Sequence, residues 1–369
     1  MRIYGPEYTH LRPTTPRQRH VIDALASCRT PELGGYVSAC DVCDYRRVVY
    51  NPCRDRHCPS CEGQAAEAWL SKLRERILPC RYFHVVFTLP SQLRWLAFHN
   101  ARLVYGLLLK CAGETLQQVA SDKRHLGAQL GITTVLHTWT RTLQLHPHVH
   151  CVVTGGGLSP DGERWIPSWG ERYLAPNRLL AARFRDMLLR RLQRAHRRGK
   201  LRFGAGCAQL QAPAAFAQLR RTLGTKPWLV YSKATFKGLQ PLLRYLARYT
   251  HRVGISDRRI LDVHTDWVTF ATKNGGTAEL EAFDFLSRFL LHVLPHGFVK
   301  IRHYGLFSTP MGERRERARQ LLAAEEREPA STSEAPSESD PEVRPCPACL
   351  FGILEVTELL PPTLPDPFT

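Results

Sequence analysis

The sequence predicts an α+β fold with a mainly antiparallel sheet flanked by helices, preceded by a small zinc-binding domain. The strand patterns within residues 132–154 and within 259–270 follow one another closely, which suits antiparallel hairpins, whereas helical patterns separate most other strands. Two Cys-x2-Cys motifs near the amino terminus indicate the zinc-binding domain.

The first half of the chain begins with helices around a cysteine-rich stretch. The predicted elements are a short helix at 16–27, the cysteine-rich stretch at 28–61, an amphipathic helix at 64–78, a strand at Tyr82–Leu89 and a long helix at Leu93–Ser121. The strand is indicated by its β-branched and aromatic residues, and Pro90 ends it.

The second half of the chain supplies most of the strands. They are predicted at Ile132–Trp139, His148–Thr154, Trp228–Tyr231, Arg259–Val263, Trp267–Phe270 and Phe298–Arg302, with helices at Asn177–Arg198, Leu239–Thr250, Phe283–Leu294 and 312–328. The Ser-, Glu- and Pro-rich residues 329–343 cannot build a core, so we expect a disordered linker there.

The charge of the chain points to a polyanionic partner. It carries 51 Lys and Arg residues against 33 Asp and Glu residues, a net charge of +18. Nucleic acid is the first candidate, and solubility alone is the alternative. Ten of the basic residues lie between Arg178 and Arg202, and Arg190, Arg194 and Arg197 are candidate DNA-binding residues. Since no secretory signal or membrane-spanning apolar run is visible, we expect a cytoplasmic, nucleoid-associated protein.

The clustered cysteines predict a structural zinc site. Cys40 and Cys43 form one Cys-x2-Cys knuckle, Cys58 and Cys61 form another, and fourteen residues separate them. Four thiolates can close a tetrahedron around Zn²⁺ and leave no open position for catalysis. Four incidental buried cysteines are the alternative. The spare donors Cys28, Cys53 and His57 could replace a ligand or hold a second ion, and the half-knuckle Cys346-Pro-Ala-Cys349 has no matching pair nearby.

A histidine pair predicts a catalytic metal site. His148 and His150 are two residues apart on a predicted strand, so both side chains share one face. Two imidazoles in this arrangement can bind one divalent ion and leave positions for water and phosphate. Taken alone the motif is weak, because ordinary surface or core histidines give the same pattern.

A tyrosine pair lies about a hundred residues later. Tyr245 and Tyr249 are four residues apart on a predicted helix, which makes their phenols neighbours. Beside them runs a stripe suited to phosphate contacts, formed by Arg244, Arg248 and Arg252. An amphipathic helix with two tyrosines at its edge is the alternative.

Together these motifs resemble one family, the two-tyrosine HUH rolling-circle transposases of bacterial insertion sequences, which carry an amino-terminal transposase zinc-binding domain. The resemblance covers about Arg17 to Leu306. The matching segments are Cys28-Arg-Thr, the knuckles with Arg56-His-Cys-Pro, Phe83-His-Val-Val-Phe-Thr-Leu-Pro90, His146-Pro-His-Val-His-Cys-Val-Val153, Tyr245-Leu-Ala-Arg-Tyr-Thr-His-Arg252 and Arg302-His-Tyr-Gly305.

The resemblance implies a metal-dependent tyrosine DNA endonuclease and strand transferase with an HUH-type sheet. A tyrosine would attack a phosphodiester of single-stranded DNA and form a 5′-phosphotyrosine, while Mg²⁺ or Mn²⁺ on the histidines polarises the phosphate. The implied partners are single-stranded element ends and target DNA. Neither a membrane nor a nucleotide cofactor is expected, and no Gly-x4-Gly-Lys-Ser/Thr loop is present.

We expect the chain to divide into five parts. The resemblance implies an amino-terminal helix and zinc-binding domain at 1–80 and an HUH catalytic domain at 81–310. Beyond the resemblance, the sequence predicts a charged helix at 311–328, the linker at 329–343 and a tail with the half-knuckle at 344–369.

One segment departs from the family. The strand before the histidine pair usually has His-Thr-Trp-Gly-Gln, but here it is His137-Thr-Trp-Thr-Arg141. An arginine cannot coordinate a cation, so His137 or Gln144 would have to complete the metal site, or this copy is impaired. A catalytically impaired zinc-dependent DNA-binding protein is one alternative. A replication-initiator-like nickase, which would share the cleavage chemistry, is another, but the zinc domain and the order of the motifs favour transposition.

Overall fold

The computed structural model describes residues 1–61, 71, 73–168, 175–236, 253–325 and 345–363. The helices in this part of the chain are α1 Gly5–Leu11, α2 Pro16–Ala26, α3 Arg94–His99, α4 Ala101–Ser121, α5 Asn177–Arg197, α6 Pro213–Thr225, α7 Ala282–Leu290 and α8 Gly312–Glu325. None of these helices has the length and apolar character that crossing a bilayer requires.

Thirteen strands lie within the described residues. They are β1 Gly35–Cys40, β2 Arg46–Tyr50, β3 Tyr82–Thr88, β4 Gly131–Trp139, β5 Leu145–Thr154, β6 Gly156–Leu158, β7 Trp165–Pro167, β8 Val230–Phe236, β9 Ile260–Val263, β10 Trp267–Ala271, β11 Thr277–Glu281, β12 Ile301–Gly305 and β13 Leu354–Leu360.

The predicted α+β class with antiparallel sheets is confirmed. The central sheet has five strands in the order β12-β4-β5-β3-β8, and every neighbouring pair is antiparallel. Two three-stranded sheets, β13-β1-β2 and β11-β10-β9, and the β6-β7 ribbon accompany it. Strands β4 and β5 are therefore hydrogen-bonded neighbours within the central sheet.

The two faces of the central sheet differ in what they carry. Phe83, Val85 and Phe87 of β3 point into a core that α4 and α5 cover, and the Phe87 ring lies 4.8 Å from the Phe184 ring of α5. Because side chains alternate along a strand, His84 and its neighbours across the sheet point to the opposite face. Helices α4 and α5 thus cover one face, and the histidines lie on the other, which is called the histidine face below.

The amino-terminal helices pack against a later part of the chain. Val21 and Ile22 of α2 belong to the same buried cluster as Phe285 and Phe289 of α7. This contact joins the first helices to the β9–β11 unit through apolar burial.

The predicted long helix at Leu93–Ser121 is wrong in one respect, because Asn100 divides it into α3 and α4. Asn100 has φ −124° and ψ 38°, outside helical values. Its side-chain amide donates hydrogen bonds to the carbonyl oxygens of Leu96 and Arg202, and its Oδ1 accepts one from the Arg202 N–H. These three bonds explain why an asparagine stands at the break.

Other predicted elements differ at their ends or were missed. The predicted hairpin at 259–270 gains a third strand, β11. The predicted strand at Phe298–Arg302 begins at Ile301, because the Phe298 N–H closes a turn by donating to the Pro295 carbonyl. Strands β1, β2 and β13 carry little apolar alternation and were not predicted. The predicted helix at Leu239–Thr250, most of that at 64–78 and the linker at 329–343 lie outside the described residues.

Candidate metal centres and catalytic face

Three histidines converge on the histidine face. His148 and His150 lie on β5, and His137 of β4 is the direct cross-strand partner of His148. One ring nitrogen of each lies within 4.8 Å of the others. The arrangement brings His137, one of the two predicted candidates for a third ligand, together with the predicted pair. Gln144, the other candidate, lies in the turn before β5.

Contacts at Nδ1 orient two of these rings, those of His148 and His150. The Nδ1 atom of His148 lies 2.6 Å from the carbonyl oxygen of His146, to which it can donate its proton. The Nδ1 atom of His150 lies 2.8 Å from Nε2 of His84, and the two rings stack with centroids 5.0 Å apart. Contacts of this kind orient metal-binding histidines in proteins, because they set both the tautomer and the direction of the ring.

The environment keeps these imidazoles in the form that binds metals. Burial lowers the pKa of His148 to about 4. Burial, and then the neighbouring His137, lower the pKa of His150 well below its ordinary value. Both rings are therefore neutral at pH 7, and neutral imidazole is the ligand form for a divalent cation. The residues present fit such an ion, with positions left over for water or a phosphate oxygen.

Arg141 lies away from the three histidines. Strand β4 ends at Trp139, and the chain then turns between Thr140 and Gln144, where the Thr140 N–H donates to the Gln144 carbonyl. The Arg141 guanidinium is exposed and donates to the carbonyl oxygen of Thr272 beyond β10. The arginine at position 141, where this chain departs from the usual sequence, therefore does not place its positive charge among the three imidazoles.

The predicted tyrosines and their arginine stripe lie outside the described residues. These are Tyr245, Tyr249, Arg244, Arg248 and Arg252. The described chain stops at the end of β8 and resumes at Val253. Strand β8 pairs with β3, the strand that carries His84.

The four cysteines predicted to form one zinc site belong to two different clusters, so that prediction is wrong in its grouping. The first cluster is made of Cys28, Cys53, Cys58 and Cys61. Its sulfur–sulfur distances are 3.5 Å for Cys28–Cys61, 3.6 Å for Cys28–Cys58 and 3.8 Å for Cys53–Cys61. A Zn–S bond of about 2.3 Å gives tetrahedral ligands separated by about 3.8 Å, so the first cluster fits one zinc ion.

The second cluster joins distant parts of the chain. Cys40 and Cys43 lie with Cys346 and Cys349, and the Cys40–Cys349 and Cys43–Cys346 sulfur distances are both 3.7 Å. Backbone N–H groups of Gly352 and Phe351 lower the pKa of the Cys349 thiol to about 6. The half-knuckle that had no partner nearby in the sequence thus has one in the fold. The Cys-x2-Cys spacing in the sequence indicates a pair of metal ligands. It does not identify the partner pair, because Cys43 and Cys346 are 303 residues apart.

His57 has a structural role instead of joining the first cluster. Its Nδ1 lies 2.7 Å from Asp55 Oδ1, and its Nε2 accepts the Leu294 N–H at 3.1 Å. Although burial alone would raise the pKa of Asp55, the hydrogen bond from His57 and the charge of Arg17 hold it well below its ordinary value. Arg56 also donates to the Phe298 carbonyl at 2.6 Å. These bonds attach the loop of the first cluster to the body of the protein.

The predicted DNA-binding arginines of α5 are exposed. Arg190, Arg194 and Arg197 follow one another at helical spacing and point to solvent, whereas Phe184 and Leu188 of the same helix face the core. Because α5 covers the sheet face opposite the histidines, this stripe lies across the sheet from His148 and His150.

Two family models match parts of the chain. A family model described as "Putative transposase" matches residues 131–316, and one described as "Transposase zinc-binding domain" matches residues 1–89. The chain is 41% identical over 375 residues to "Putative transposase y4qJ" of Sinorhizobium fredii, covering 97% of this chain and 94% of the relative.

A second relative is the transposase for insertion sequence element IS801 of Pseudomonas savastanoi pv. phaseolicola. It is 28% identical over 304 residues, which cover 78% of this chain and 69% of the relative. No solved structure matches the chain. The family resemblance drawn from the sequence motifs is confirmed: the chain belongs to the two-tyrosine HUH rolling-circle transposases of the IS91 and IS801 type.

Proposed function

We propose that this transposase nicks and transfers single-stranded DNA through a 5′-phosphotyrosine intermediate, as the motif set implies. The observation that supports this best is the convergence of His137, His148 and His150 on one face of the central sheet. Three imidazoles on two adjacent strands would form a site for one Mg²⁺ or Mn²⁺ that still has room for a phosphate oxygen.

The chain's own residues would act as follows. A phenol oxygen of Tyr245 or Tyr249 attacks the phosphorus, the phenol gives up its proton, and the 3′-oxygen of the cut strand leaves as a hydroxyl. The bound ion would supply the positive charge that offsets the charge developing on the phosphate. The phosphodiester energy is kept in the tyrosine–phosphorus bond, so rejoining to a new 3′-hydroxyl needs no nucleotide cofactor.

The hydrogen bonds at Nδ1 would hold the rings of His148 and His150 in the orientation that metal binding requires. An ion at Nε2 of His148 requires the ring proton at Nδ1, and the His146 carbonyl accepts it there. An ion at Nε2 of His150 likewise requires the proton at Nδ1, from which it is donated to His84. We infer that His84 is a positioning residue, since it touches a ligand and not the ion.

DNA binding would use charge on more than one surface. The arginines at 244, 248 and 252 accompany the tyrosines in sequence and would hold the phosphates next to the cut. The exposed α5 arginines lie across the sheet and would reach only the flanking DNA. Their contribution would be sequence-independent backbone binding.

The test is covalent capture of a single strand from the ends of the element. The protein is incubated with labelled DNA and Mn²⁺, and a DNA-linked band is sought by denaturing electrophoresis. Tyr245→Phe and Tyr249→Phe should each still form some adduct but fail to complete transposition, because each keeps one nucleophile. The double variant should bind DNA with unchanged affinity and form no adduct.

Two results would overturn the proposal. An adduct that persists in the double variant would assign the nucleophile to another residue. Tight DNA binding by the unaltered protein without any adduct would instead support a zinc-dependent DNA-binding protein without cleavage activity.

A further inference from the structure

The first and last parts of the described chain form a single small sheet. Strand β13 pairs antiparallel with β1, from Gly35 opposite Leu360 to Cys40 opposite Leu354, and β2 pairs with the other edge of β1. The middle strand therefore comes from the amino-terminal region, and one of its two neighbours comes from the far end of the chain.

Each half of this sheet carries one Cys-x2-Cys knuckle at the same end. The Cys40–Cys43 knuckle links β1 to β2, and the Cys346–Cys349 knuckle directly precedes β13. The second cluster forms where the two knuckles meet. Its two measured cross-knuckle distances of 3.7 Å match the separation of about 3.8 Å expected for thiolates around one zinc ion.

The backbone around the second cluster is shaped for thiolates. The N–H of Val42 points at Cys40 Sγ at 3.4 Å, and the N–H of Gly352 points at Cys349 Sγ at 3.3 Å. A Cβ atom at Gly352 would lie 2.3 Å from Cys40 Sγ, so only glycine allows the two knuckles to come this close. Asp41 completes the junction, since its Oδ1 accepts the Ile353 N–H at 2.7 Å and its own N–H donates to the Ile353 carbonyl.

Apolar burial cannot account for this sheet. Residues 355–359 of β13 are all exposed, and so are the first three residues of β2. Of the residues of β13 and its knuckle, Cys346 is fully buried while Leu350, Phe351 and Leu359 are 73%, 89% and 78% exposed. A sheet this small and open requires another source of stability, and a structural metal is the usual one.

We propose that Cys40, Cys43, Cys346 and Cys349 bind a second structural zinc ion and complete a zinc ribbon split between the two ends of the chain. The segment that supplies two of the four ligands lies far outside residues 1–89, which match the zinc-binding domain. The carboxy-terminal segment is thus a required part of the amino-terminal ribbon, and zinc fastens it there. The inference does not depend on the proposed cleavage chemistry.

The experiment measures zinc per chain by elemental analysis of the purified full-length protein. The unaltered protein should hold two ions. One zinc ion should remain in each of two double variants, Cys346→Ser/Cys349→Ser and Cys40→Ser/Cys43→Ser. One ion should also remain when all four cysteines are changed, because the two knuckles share a single ion. The matched control Cys80→Ser/Cys207→Ser changes two cysteines outside both clusters and should keep two.

Hydrogen exchange locates the effect within the chain. In Cys346→Ser/Cys349→Ser the amides of β1 and β2 should lose protection, whereas those of β4 and β5 should keep it. One zinc in the unaltered protein, or two in Cys346→Ser/Cys349→Ser, would overturn the inference. It would also fail if β1 and β2 kept their protection after the tail ligands were removed.

Discussion

The histidine cluster and the two cysteine clusters are all candidate metal sites, but they are built differently. The three imidazoles project from β4 and β5, strands whose pairing and buried side chains hold them with or without an ion. The thiolates sit on knuckles and loops with little apolar support, and each set numbers four. Three ligands leave coordination positions for a substrate, whereas four thiolates leave none. The histidine site on β4 and β5 therefore suits a metal with open positions, whereas the loops that carry the cysteines need a metal ion in order to fold.

Removing a ligand from the histidine face should give the largest change in activity and little change in stability. His150→Ala should lower the rate of adduct formation by about 10³-fold, because a bound ion supplies several kcal/mol of charge stabilisation. DNA affinity, measured by fluorescence anisotropy, should stay the same. His125→Ala, a histidine outside the cluster, serves as the control. A large fall in thermal stability of His150→Ala would break the contrast between the two kinds of site.

Removing ligands from the first cysteine cluster should give the opposite pattern. Cys58→Ser/Cys61→Ser should lose one zinc ion and local structure, since zinc binding in small domains provides about 10 kcal/mol of folding energy. Elemental analysis and hydrogen exchange of residues 28–61 would check this. Two hydrogen bonds should be lost together with the zinc ion: the one that Arg56 donates to the Phe298 carbonyl and the one that His57 accepts from the Leu294 N–H. Unchanged zinc content would contradict the ligand set.

The contact between His84 and His150 predicts an intermediate effect. His84→Ala should reduce cleavage by about 10–100-fold, as expected when a residue that orients a metal ligand is lost. Raising the Mn²⁺ concentration should restore part of the rate, because the defect lies in metal affinity. Val86→Ala, on the same strand and directly opposite His150, is the matched control. A loss that no Mn²⁺ concentration relieves would mean that His84 acts on the substrate itself.

The α5 arginines should affect binding of long strands only. Reversing Arg190, Arg194 and Arg197 to Glu should flatten the salt dependence of binding to a long single strand, at about 0.7 of log–log slope per lost phosphate contact. A strand of a few nucleotides, held at the histidine face, should show no change. Reversing Arg220, Arg221 and Lys226 gives the same change in net charge and serves as the control. An unaltered slope on long DNA would make the stripe a solvated surface.

The smallest effect is expected at Arg141. Its guanidinium is exposed and lies at the Thr272 carbonyl, so Arg141→Gln should leave the cleavage rate within about twofold or raise it. Adduct formation at several Mn²⁺ concentrations is the measurement. A clear loss of cleavage would assign Arg141 a role of its own, such as gripping phosphate beside the metal.

Patterns with a short period could be predicted well from the sequence. Strands β3, β4 and β5 and helix α5 were located within a few residues, because each has a buried face that repeats along the element. The shared face of His148 and His150 follows from the alternation of a strand. Strands β2 and β13 could not be found this way, since they bury too little to leave a pattern, and the buried residues of β1 do not alternate along the strand.

The sequence by itself determined which atoms can bind metal and how each short motif presents them. It supplied imidazoles two residues apart on a strand and three Cys-x2-Cys knuckles, each of which offers two ligands. Only the tertiary structure decided how these units combine. The pairing of β4 with β5 brought in His137, and the pairing of β1 with β13 gave Cys40 and Cys43 their partners beyond residue 345. A knuckle fixes the geometry of its own two sulfurs but not the choice of the other two. For Cys40 and Cys43 that choice is made by the pairing of β1 with β13.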